Sequence, residues 1–190
     1  MTRASFTVQW ARRGARRDEG ICLIERQFEK YYKVKPHVPE ELLVAILDGH
    51  VVATIVVELM EHAEISLLEL YDIPHTSLPK TPLMQWSRLS CVAPMGTTAV
   101  FWAAAEYSLR MQRGTGFLEA KQYPADSVGR EGLQLHPVPG ARFIQGRAHP
   151  SALTYYQTPP VPVLYRFDAV QVHDNYAGRI READVEVVFA

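Results

Sequence analysis

The segment that decides the fold runs from Met84 to Tyr123 and reads MQWSRLSCVAPMGTTAVFWAAAEYSLRMQRGTGFLEAKQY. Its first part, Gln85–Val92, mixes β-branched, aromatic and sulfur side chains among its apolar positions, which is typical of a buried strand. A turn at Pro94–Gly96 follows. Beyond the turn, apolar residues recur with the spacing of one helical face. They are Val100, Phe101, Ala104, Tyr107 and Met111.

The same segment ends in a second strand. We expect Thr97 or Thr98 to cap the helix and Gly114 to end it. Thr115–Ala120 then has the composition of another buried strand. A strand, a helix and a strand in this order form a βαβ unit, whose two strands run parallel.

Length and composition bound the class of protein. The chain has 190 residues, 47% of them apolar, and a formal charge of −1. We therefore expect a single domain over residues 1–190 with a complete core. The charge argues against a protein-wide attraction to nucleic acid or to an anionic membrane. No apolar run approaches the ~20 residues of a membrane span, and Met1–Gly20 has no apolar signal region, so we expect a cytoplasmic protein.

Several common reaction centres are missing from the sequence. Its seven histidines show no metal-ligand spacing, so we expect no metal. Cys22 and Cys91 lie in apolar surroundings and are predicted to be buried free thiols. The chain has neither a G-x-S-x-G elbow nor a Walker loop, which disfavours a hydrolase or an NTPase.

The N-terminal part predicts a strand, an arginine-rich turn and a helix. Ser5–Trp10 is the strand, and a helix should begin at Asp18 or Glu19 and end before Pro36. Between them lie Arg12, Arg13, Arg16 and Arg17. This arginine cluster is either a solvated loop or a docking patch for an acidic protein.

The rest of the chain completes a mixed sheet. Asp48-Gly49 predicts a hairpin with a type I′ turn, and Met60–Thr81 a short element followed by an irregular excursion. A short helix is expected at residues 126–131, and strands at residues 141–144, 153–156 and 163–167. The order β-α-β-β-(loop)-β-α-β-α-β describes an α/β (α+β) fold, a twisted mixed sheet of about six to seven strands with helices on both faces.

The chain resembles the GNAT-type N-acyltransferases, in particular the branch of acyl-homoserine-lactone synthases and long-chain N-acyl amino acid synthases. That branch tends to read Glu-x-Ser/Thr-Arg-Phe/Leu-x-Val in the strand before the main helix, and this chain reads QWSRLSCV over Gln85–Val92. FLEAKQYPADSVGREGLQL (Phe117–Leu135) is similar to the end of the acyltransferase core. TYYQTPPVPVLYRF (Thr154–Phe167) is similar to the late part of this branch and of thermostable-hemolysin-like proteins.

The departures from the family pattern concern the catalytic and cofactor positions. Acetyl-CoA-dependent members have a glycine-rich helix entry that cradles pyrophosphate, whereas this chain has the single Gly96. Gln85 replaces the strand glutamate, and Val128 stands where many members have a tyrosine. The Trp/Phe, Glu and Asp pattern of lactone synthases is not evident.

The resemblance implies transfer of a fatty acyl group from a thioester, on acyl carrier protein or CoA, to the amine of an amino-acid-like acceptor. The alternative is a non-catalytic GNAT-fold module that binds an acyl chain or a protein partner. A nucleic-acid partner is disfavoured. The sequence leaves open the acyl length, the acceptor, the donor carrier and whether two copies form a homodimer.

Three residues are candidates for catalysis. Glu119, a carboxylate within an apolar strand, could be the general base, or it could face solvent or pair with Arg88. Arg88 suits a carboxylate of the acceptor, or a structural ion pair. Gln85 could orient the amine.

The donor and its acyl chain should contact residues of the central unit. The candidates for donor binding are Leu89, Ser90, Cys91, Val92, Gly96, Thr97 and Thr98. The candidates for lining the acyl chain are Trp86, Phe101, Tyr155 and Tyr156, and the two tyrosines could equally be packing residues. The hypothesis requires the two core strands to splay apart, so that a thioester fits between them.

Overall fold

The computed structural model describes residues 4–190. Its elements are β1 (Ser5–Ala11), α1 (Ala15–Tyr32), β2 (Leu42–Leu47), β3 (His50–Leu59), α2 (Leu67–Leu70), β4 (Tyr71–Asp72), β5 (Leu83–Cys91), α3 (Gly96–Arg110), β6 (Thr115–Ala120), α4 (Gln122–Arg130), β7 (His136–Pro137), β8 (Arg142–Phe143), α5 (Leu153–Gln157), β9 (Val163–Asp168), α6 (Ala169–Glu182) and β10 (Glu186–Phe189). Among these residues, no helix is both long and apolar enough to cross a bilayer.

Eight strands form the main sheet, in the order β10-β1-β2-β3-β5-β6-β9-β7, and β4 pairs with β8 separately. The β5–β6 and β1–β10 pairs are parallel, and the other pairs are antiparallel. The mixed α/β sheet is confirmed, with one strand more than the upper end of the expected range. The βαβ unit of β5, α3 and β6 is confirmed as well, and β6 has the expected bounds.

Helices cover both faces of the sheet. Successive residues of β2 point to opposite sides, so Leu43 packs in the core beneath α3 and α6. Leu42 packs with Ile24 of α1 on the other side. Full burial of such a side chain contributes about 2 kcal/mol, which makes this two-sided packing the main support of the central strands.

The hairpin prediction is confirmed. Asp48 and Gly49 have φ values of 51° and 81°, the left-handed backbone that a type I′ turn requires at both central positions. The turn joins β2 to β3, whose register places Leu47 opposite His50.

The prediction of a strand at residues 153–156 is wrong, because this segment is the helix α5. Its tyrosines favour a strand, but in the folded chain their two rings pack against different aromatic side chains. The Tyr156 ring stacks on Phe143 at 4.1 Å between centroids, and Tyr155 packs edge-on against Tyr32 at 5.1 Å. These tertiary contacts override the local preference.

Neither α6 nor β10 is among the predicted elements, although Val185, Val187 and Phe189 alternate as in a strand. Asp168 caps α6, since its Oδ1 accepts hydrogen bonds from the N–H groups of Val170 and Gln171. The buried residues Ala169, Val172 and Tyr176 have helical spacing. The polar composition of the segment obscured this signal.

Two smaller expectations are wrong. The residue that caps α3 is Met95, with φ 64°, and neither Thr97 nor Thr98 does so. Cys22 is an exposed free thiol, whereas Cys91 is half-buried. Each difference reflects the path of a helix: α3 begins two or three residues earlier than expected, and α1 turns Cys22 away from the sheet.

Candidate active site

The strands β5 and β6 separate partway along their length. They pair only from Leu83 to Trp86, opposite Thr115 to Leu118. From Ser87 onward, β5 pairs with β3 alone. The β3–β5 register shifts at this point and Arg88 has a φ of 53°, so a β-bulge bends β5 away from β6. The splayed geometry that the sequence hypothesis required is present.

Three contiguous cavities occupy and flank the gap. The outer cavity, about 890 Å³, lies at the end of β5 and the start of α3. The cleft, about 120 Å³, lies between the separated strands and shares Leu89 and Tyr32 with the outer cavity. The inner chamber, about 110 Å³, shares Arg88, Glu119 and Tyr155 with the cleft. The shared side chains show that the three cavities lie next to one another along the gap.

The inner chamber has its own route to solvent. A surface groove of about 1030 Å³ shares Lys35, His37 and His149 with it. The groove is lined by side chains of both charges together with apolar ones, whereas the cleft is lined mainly by apolar side chains such as Ile55 and Phe101.

Glu119 lies at the junction of the cleft and the inner chamber, held by two tyrosines. The Tyr156 hydroxyl donates to its Oε1 at 2.7 Å and the Tyr71 hydroxyl to its Oε2 at 3.2 Å. Burial raises the pKa of the Glu119 carboxyl, while these two donors and the charge of Arg88 partly oppose that rise. Burial and the Glu119 charge also raise the pKa of both tyrosines, which keeps them protonated as donors. Because its pKa is raised, this carboxylate is a stronger base than an ordinary glutamate side chain.

Arg88 projects from the bulge into the same junction. Its Nη1 donates to the Ser87 hydroxyl at 2.7 Å, and within residues 4–190 no carboxylate lies within ion-pair distance of its guanidinium. Burial lowers its pKa, opposed by the more distant charges of Glu58 and Glu119. A guanidinium that lines a cavity with most of its donors unused is suited to bind an anion.

Gln85 reaches the chamber wall, but its amide is already used. Its Oε1 accepts from the Leu67 N–H at 2.9 Å, and its Nε2 donates to Glu58 Oε2 at 3.0 Å and to the Ile65 carbonyl at 2.9 Å. Two of these three bonds fix the segment before α2 to β5, and the third joins β5 to β3. Gln85 therefore has a positioning role in the structure, and its contact with an amine stays a prediction.

Five of the seven residues expected to bind the donor line the outer cavity. They are Leu89, Cys91, Val92, Thr97 and Thr98. The other two do not. Ser90 is fully buried in the sheet, and Gly96 faces inward, since a Cβ on it would lie 2.8 Å from Cys91 Sγ. The Val92 N–H is bonded to the Val52 carbonyl at 2.9 Å.

The residues expected to line the acyl chain meet around the cleft. Trp86 and Phe101 form part of its wall, Tyr155 borders both the cleft and the chamber, and Tyr156 lines the chamber. Trp86 is packed between Phe101 and Phe167, with ring centroids 5.6 and 4.1 Å away. Packed aromatic rings therefore form this part of the wall of the cleft.

Sequence reasoning missed Tyr71, Tyr32 and Lys121. Tyr71 is distant in sequence from Glu119, and only the packing of β4 brings them together. Lys121 donates to the Thr158 carbonyl at 2.7 Å and lies 5.0 Å from the centre of the Tyr155 ring, at the entrance of the cleft. Its position directly after β6 was the only available signal.

The arginine cluster lies far from the cavities. Arg16 begins α1 and Gln27 borders the cleft, about 16 Å farther along the helix at 1.5 Å per residue. Arg12 pairs with Glu41 at 2.8 Å, and Arg17 Nε donates to the Glu40 carbonyl at 2.8 Å.

Arg16 bonds both Glu19 and the carbonyl of Gly49. These contacts tie the start of α1 to the hairpin, and the docking role of Arg12, Arg13, Arg16 and Arg17 stays a prediction. For the part of the chain that the structure describes, no group of three or more His, Cys, Asp or Glu side chains could hold a metal ion.

Comparisons with known proteins agree with this fold. No family model and no curated protein sequence matches the chain. Several solved structures do match the chain. A CoA-dependent acyl-homoserine lactone synthase, BjaI, superposes with a TM-score of 0.63 at 13% identity, covering 97% of this chain and 93% of that one.

Two further structures extend the comparison. FeeM, an N-acyl amino acid synthase from uncultured soil microbes, has a TM-score of 0.60 at 10% identity, covering 90% and 95% of the two chains. A putative N-acetyltransferase from Lactobacillus plantarum has a TM-score of 0.52 at 12% identity, covering 87% and 99%. The GNAT-type fold that the sequence resemblance implied is confirmed.

Proposed function

We propose that this protein is an N-acyltransferase that moves a fatty acyl group from a thioester to the amine of an acceptor bearing a carboxylate. The observation that carries the proposal is the junction of Arg88 and Glu119 in the gap between β5 and β6. In the proposed reaction the acyl chain occupies the mainly apolar cleft, and a charged acceptor reaches Arg88 through the inner chamber. Solved structures of acyl-transferring enzymes with the same fold support this reading.

Each residue at the junction has a defined task. The acyl chain lies in the cleft against Trp86 and Phe101, while the thiol arm extends through the outer cavity. Arg88 binds the carboxylate of the acceptor by two parallel hydrogen bonds. Glu119 accepts a proton from the ammonium group, which leaves a lone pair to attack the thioester carbonyl.

The reaction balances without an external co-reactant. The amine nitrogen forms a bond to the carbonyl carbon and the carbon–sulfur bond breaks. The second proton of the nitrogen passes to the departing thiolate, and Glu119 releases the first proton to solvent. The products are an amide and a free thiol. Holding the two reactants in near-attack geometry at the junction supplies a large part of the rate enhancement for such a transfer.

A direct assay tests the proposal. Purified protein is incubated with fatty acyl carrier protein or fatty acyl-CoA and a panel of amino acids, and N-acyl products are detected by mass spectrometry. We expect product with at least one acyl thioester and a carboxylate-bearing amine, and about a hundredfold less or lower with the Glu119→Gln variant. The absence of product with every donor and acceptor would contradict the proposal.

A non-catalytic module is the second candidate. Gln85 stands where the family branch has a glutamate, and its amide is fully engaged in positioning the chain. A module of this kind would retain a fatty acid or an acyl thioester in the cleft without turnover. Tight binding of an acyl thioester without any product would favour it.

A further inference from the structure

Lys121 is a buried cation without a carboxylate partner. It lies directly after β6 and is 6% exposed. Its Nζ donates to the Thr158 carbonyl at 2.7 Å, and within residues 4–190 no carboxylate lies within ion-pair distance of it. An ammonium group has three N–H donors, so two of them remain for a ligand. Because lysines are seldom buried without an anion, this one is a candidate for a functional role.

The backbone at the end of β6 directs Lys121 to the same side of the sheet as Glu119. Leu118 and Ala120 pack in the core beneath α3. Successive residues of an extended chain point to opposite sides, and Lys121 has an extended backbone, with φ −72° and ψ 160°. Glu119 and Lys121 therefore project together on the other side, with their Cα atoms about 7 Å apart.

Two tyrosine rings place the Lys121 ammonium group at the border between the outer cavity and the cleft. Its Nζ lies 5.6 Å from the centre of the Tyr32 ring and 5.0 Å from the centre of the Tyr155 ring. Lys121 and Tyr32 line the outer cavity, and Tyr32 and Tyr155 line the cleft. The faces of both rings attract a cation, which holds Nζ at this border without a counter-ion.

The sulfur atom of the proposed donor would lie at this border. With the acyl chain in the cleft and the thiol arm in the outer cavity, the thioester group lies between the two. Its carbonyl carbon faces the amine held near Glu119, and its sulfur lies toward the outer cavity, on the side of Lys121. A cation at this place stabilises the thiolate that forms when the carbon–sulfur bond breaks.

The two tyrosines at the border are weaker acids than exposed tyrosines. Burial raises the pKa of the Tyr32 and Tyr155 hydroxyls, so both phenols hold their protons more tightly. Burial has the opposite effect on Lys121, because it lowers the pKa of the ammonium group. Of these three side chains, Lys121 is the best suited to give a proton to a departing thiolate.

We propose that Lys121 is the general acid of the transfer and protonates the departing thiolate. The electron pair of the carbon–sulfur bond goes to sulfur, and a proton from Nζ completes the free thiol. The neutral Lys121 amine then takes up the second proton of the substrate nitrogen, which restores the ammonium group. This inference rests on the proposed function and adds the residue that carries this proton to the sulfur.

The acidity of the leaving thiol tests the inference. Octanoyl-pantetheine releases an alkyl thiolate, which needs a proton, whereas S-phenyl thiooctanoate releases thiophenolate, a far weaker base that leaves without one. Values of kcat and KM are measured with both donors and one carboxylate-bearing amine for the wild type, Lys121→Gln and Lys121→Arg. The control for the lost charge is Lys30→Gln, at an exposed lysine of α1 that lines none of these cavities.

We expect Lys121→Gln to lower kcat with octanoyl-pantetheine by about a hundredfold, the scale of one general acid, and to change KM by less than about threefold. With S-phenyl thiooctanoate the same variant should lower kcat by less than about threefold. Lys121→Arg keeps the charge, but a guanidinium does not give up its proton, so this variant should lose as much activity as Lys121→Gln. Lys30→Gln should match the wild type with both donors.

Three results would overturn the inference: an unchanged kcat with octanoyl-pantetheine in Lys121→Gln, an equal loss with both donors, or wild-type activity in Lys121→Arg. A thermal melt shows whether the variants fold. If neither folds, the wild type decides, assayed with octanoyl esters of thiols of graded acidity. A general acid predicts a weak dependence of kcat on the acidity of the leaving thiol, and a steep dependence overturns the proposal.

Failure of the proposed function has a different signature. In that case the wild type forms no amide from any donor, and the inference falls with the function. Amide formation by the wild type together with any of the overturning results rejects the role of Lys121 alone.

Discussion

Glu119 is the residue on which the proposed chemistry depends, and its two tyrosine donors set its basicity. Burial raises the pKa of its carboxyl, whereas the Tyr156 and Tyr71 hydroxyls stabilise the charged form. A base must be deprotonated to act. The rate should therefore fall as the pH decreases through the raised pKa of Glu119, at a higher pH than for an ordinary glutamate.

Replacing Tyr156 by Phe tests this assignment. The variant loses the 2.7 Å hydrogen bond to the carboxylate, so the pKa of Glu119 rises further and the acidic limb of the pH–rate profile moves to higher pH. Tyr71→Phe, which loses a 3.2 Å bond, is the matched variant and should shift the limb less. Glu119→Gln should lower kcat by about a hundredfold or more. An acidic limb that does not move in Tyr156→Phe would contradict the role of Glu119 as the base.

Arg88 should determine the affinity for the acceptor. A lysine cannot form the two parallel hydrogen bonds of a guanidinium. We expect Arg88→Lys to raise KM for a carboxylate-bearing acceptor by about tenfold or more, with KM for the donor unchanged. Arg110→Lys, at the exposed end of α3, is the control. An equal rise in KM for an acceptor whose carboxylate is amidated would show that Arg88 supports the local structure and does not bind the carboxylate.

At the scale of elements, the packing of α3 against the sheet keeps the cleft in shape. Gly96 lies against Cys91 at the end of β5, where an added methyl group has no space. The bulge at Arg88 lies three residues earlier on the same strand. A steric overlap between residue 96 and Cys91 would therefore lower the stability of the fold and change the width of the gap.

Gly96→Ala should destabilise the protein by about 1–3 kcal/mol, because the new Cβ overlaps Cys91 Sγ. Cys91→Ala in the same chain should recover part of that loss, since it removes the overlapping sulfur. Gly114→Ala, where a Cβ would meet nothing within 4 Å, serves as the control. Urea denaturation measures all three. A Gly96→Ala variant as stable as the wild type would show that the helix can shift freely on the sheet.

For the whole molecule, the proposed donor and acceptor would enter through separate openings, the outer cavity and the groove beyond the chamber. The outer cavity opens beside the end of α1, and the groove beyond the chamber opens next to the segment that precedes α2. The arginine cluster lies at the other end of α1. A carrier protein that inserts its arm through the outer cavity would therefore meet Lys33 before it met the arginines.

This geometry predicts how charge changes affect a carrier-protein donor. Arg12→Gln with Arg13→Gln should change kcat/KM for the acyl carrier protein by less than about twofold. Lys33→Asn, which keeps a residue tolerant of the left-handed backbone there, should lower it by about threefold or more through slower association. Kinetics at low and physiological salt provide the measurement. The reverse ranking would restore the arginine cluster as the docking patch.

The sequence by itself determined the central unit of the fold. The hairpin at Asp48-Gly49 and the strand Thr115–Ala120 depend on local turn chemistry and on side-chain period, which are properties of neighbouring residues. The position of Glu119 in an apolar strand was visible for the same reason. Local signals failed at Leu153–Gln157 and in α6, where aromatic contacts and a polar surface obscured the helical pattern.

Only the tertiary structure decided how the site is assembled. The separation of β5 from β6 arises from a bulge that no residue pattern predicts. The hydrogen bonds of Tyr71 and Tyr156 to Glu119 join residues that are 48 and 37 positions apart in the sequence. The hydrogen bonds of Gln85 to Leu67, Glu58 and Ile65 are likewise long-range. Such contacts depend on which elements the folded chain brings together, because burial and charge act through space and not along the sequence.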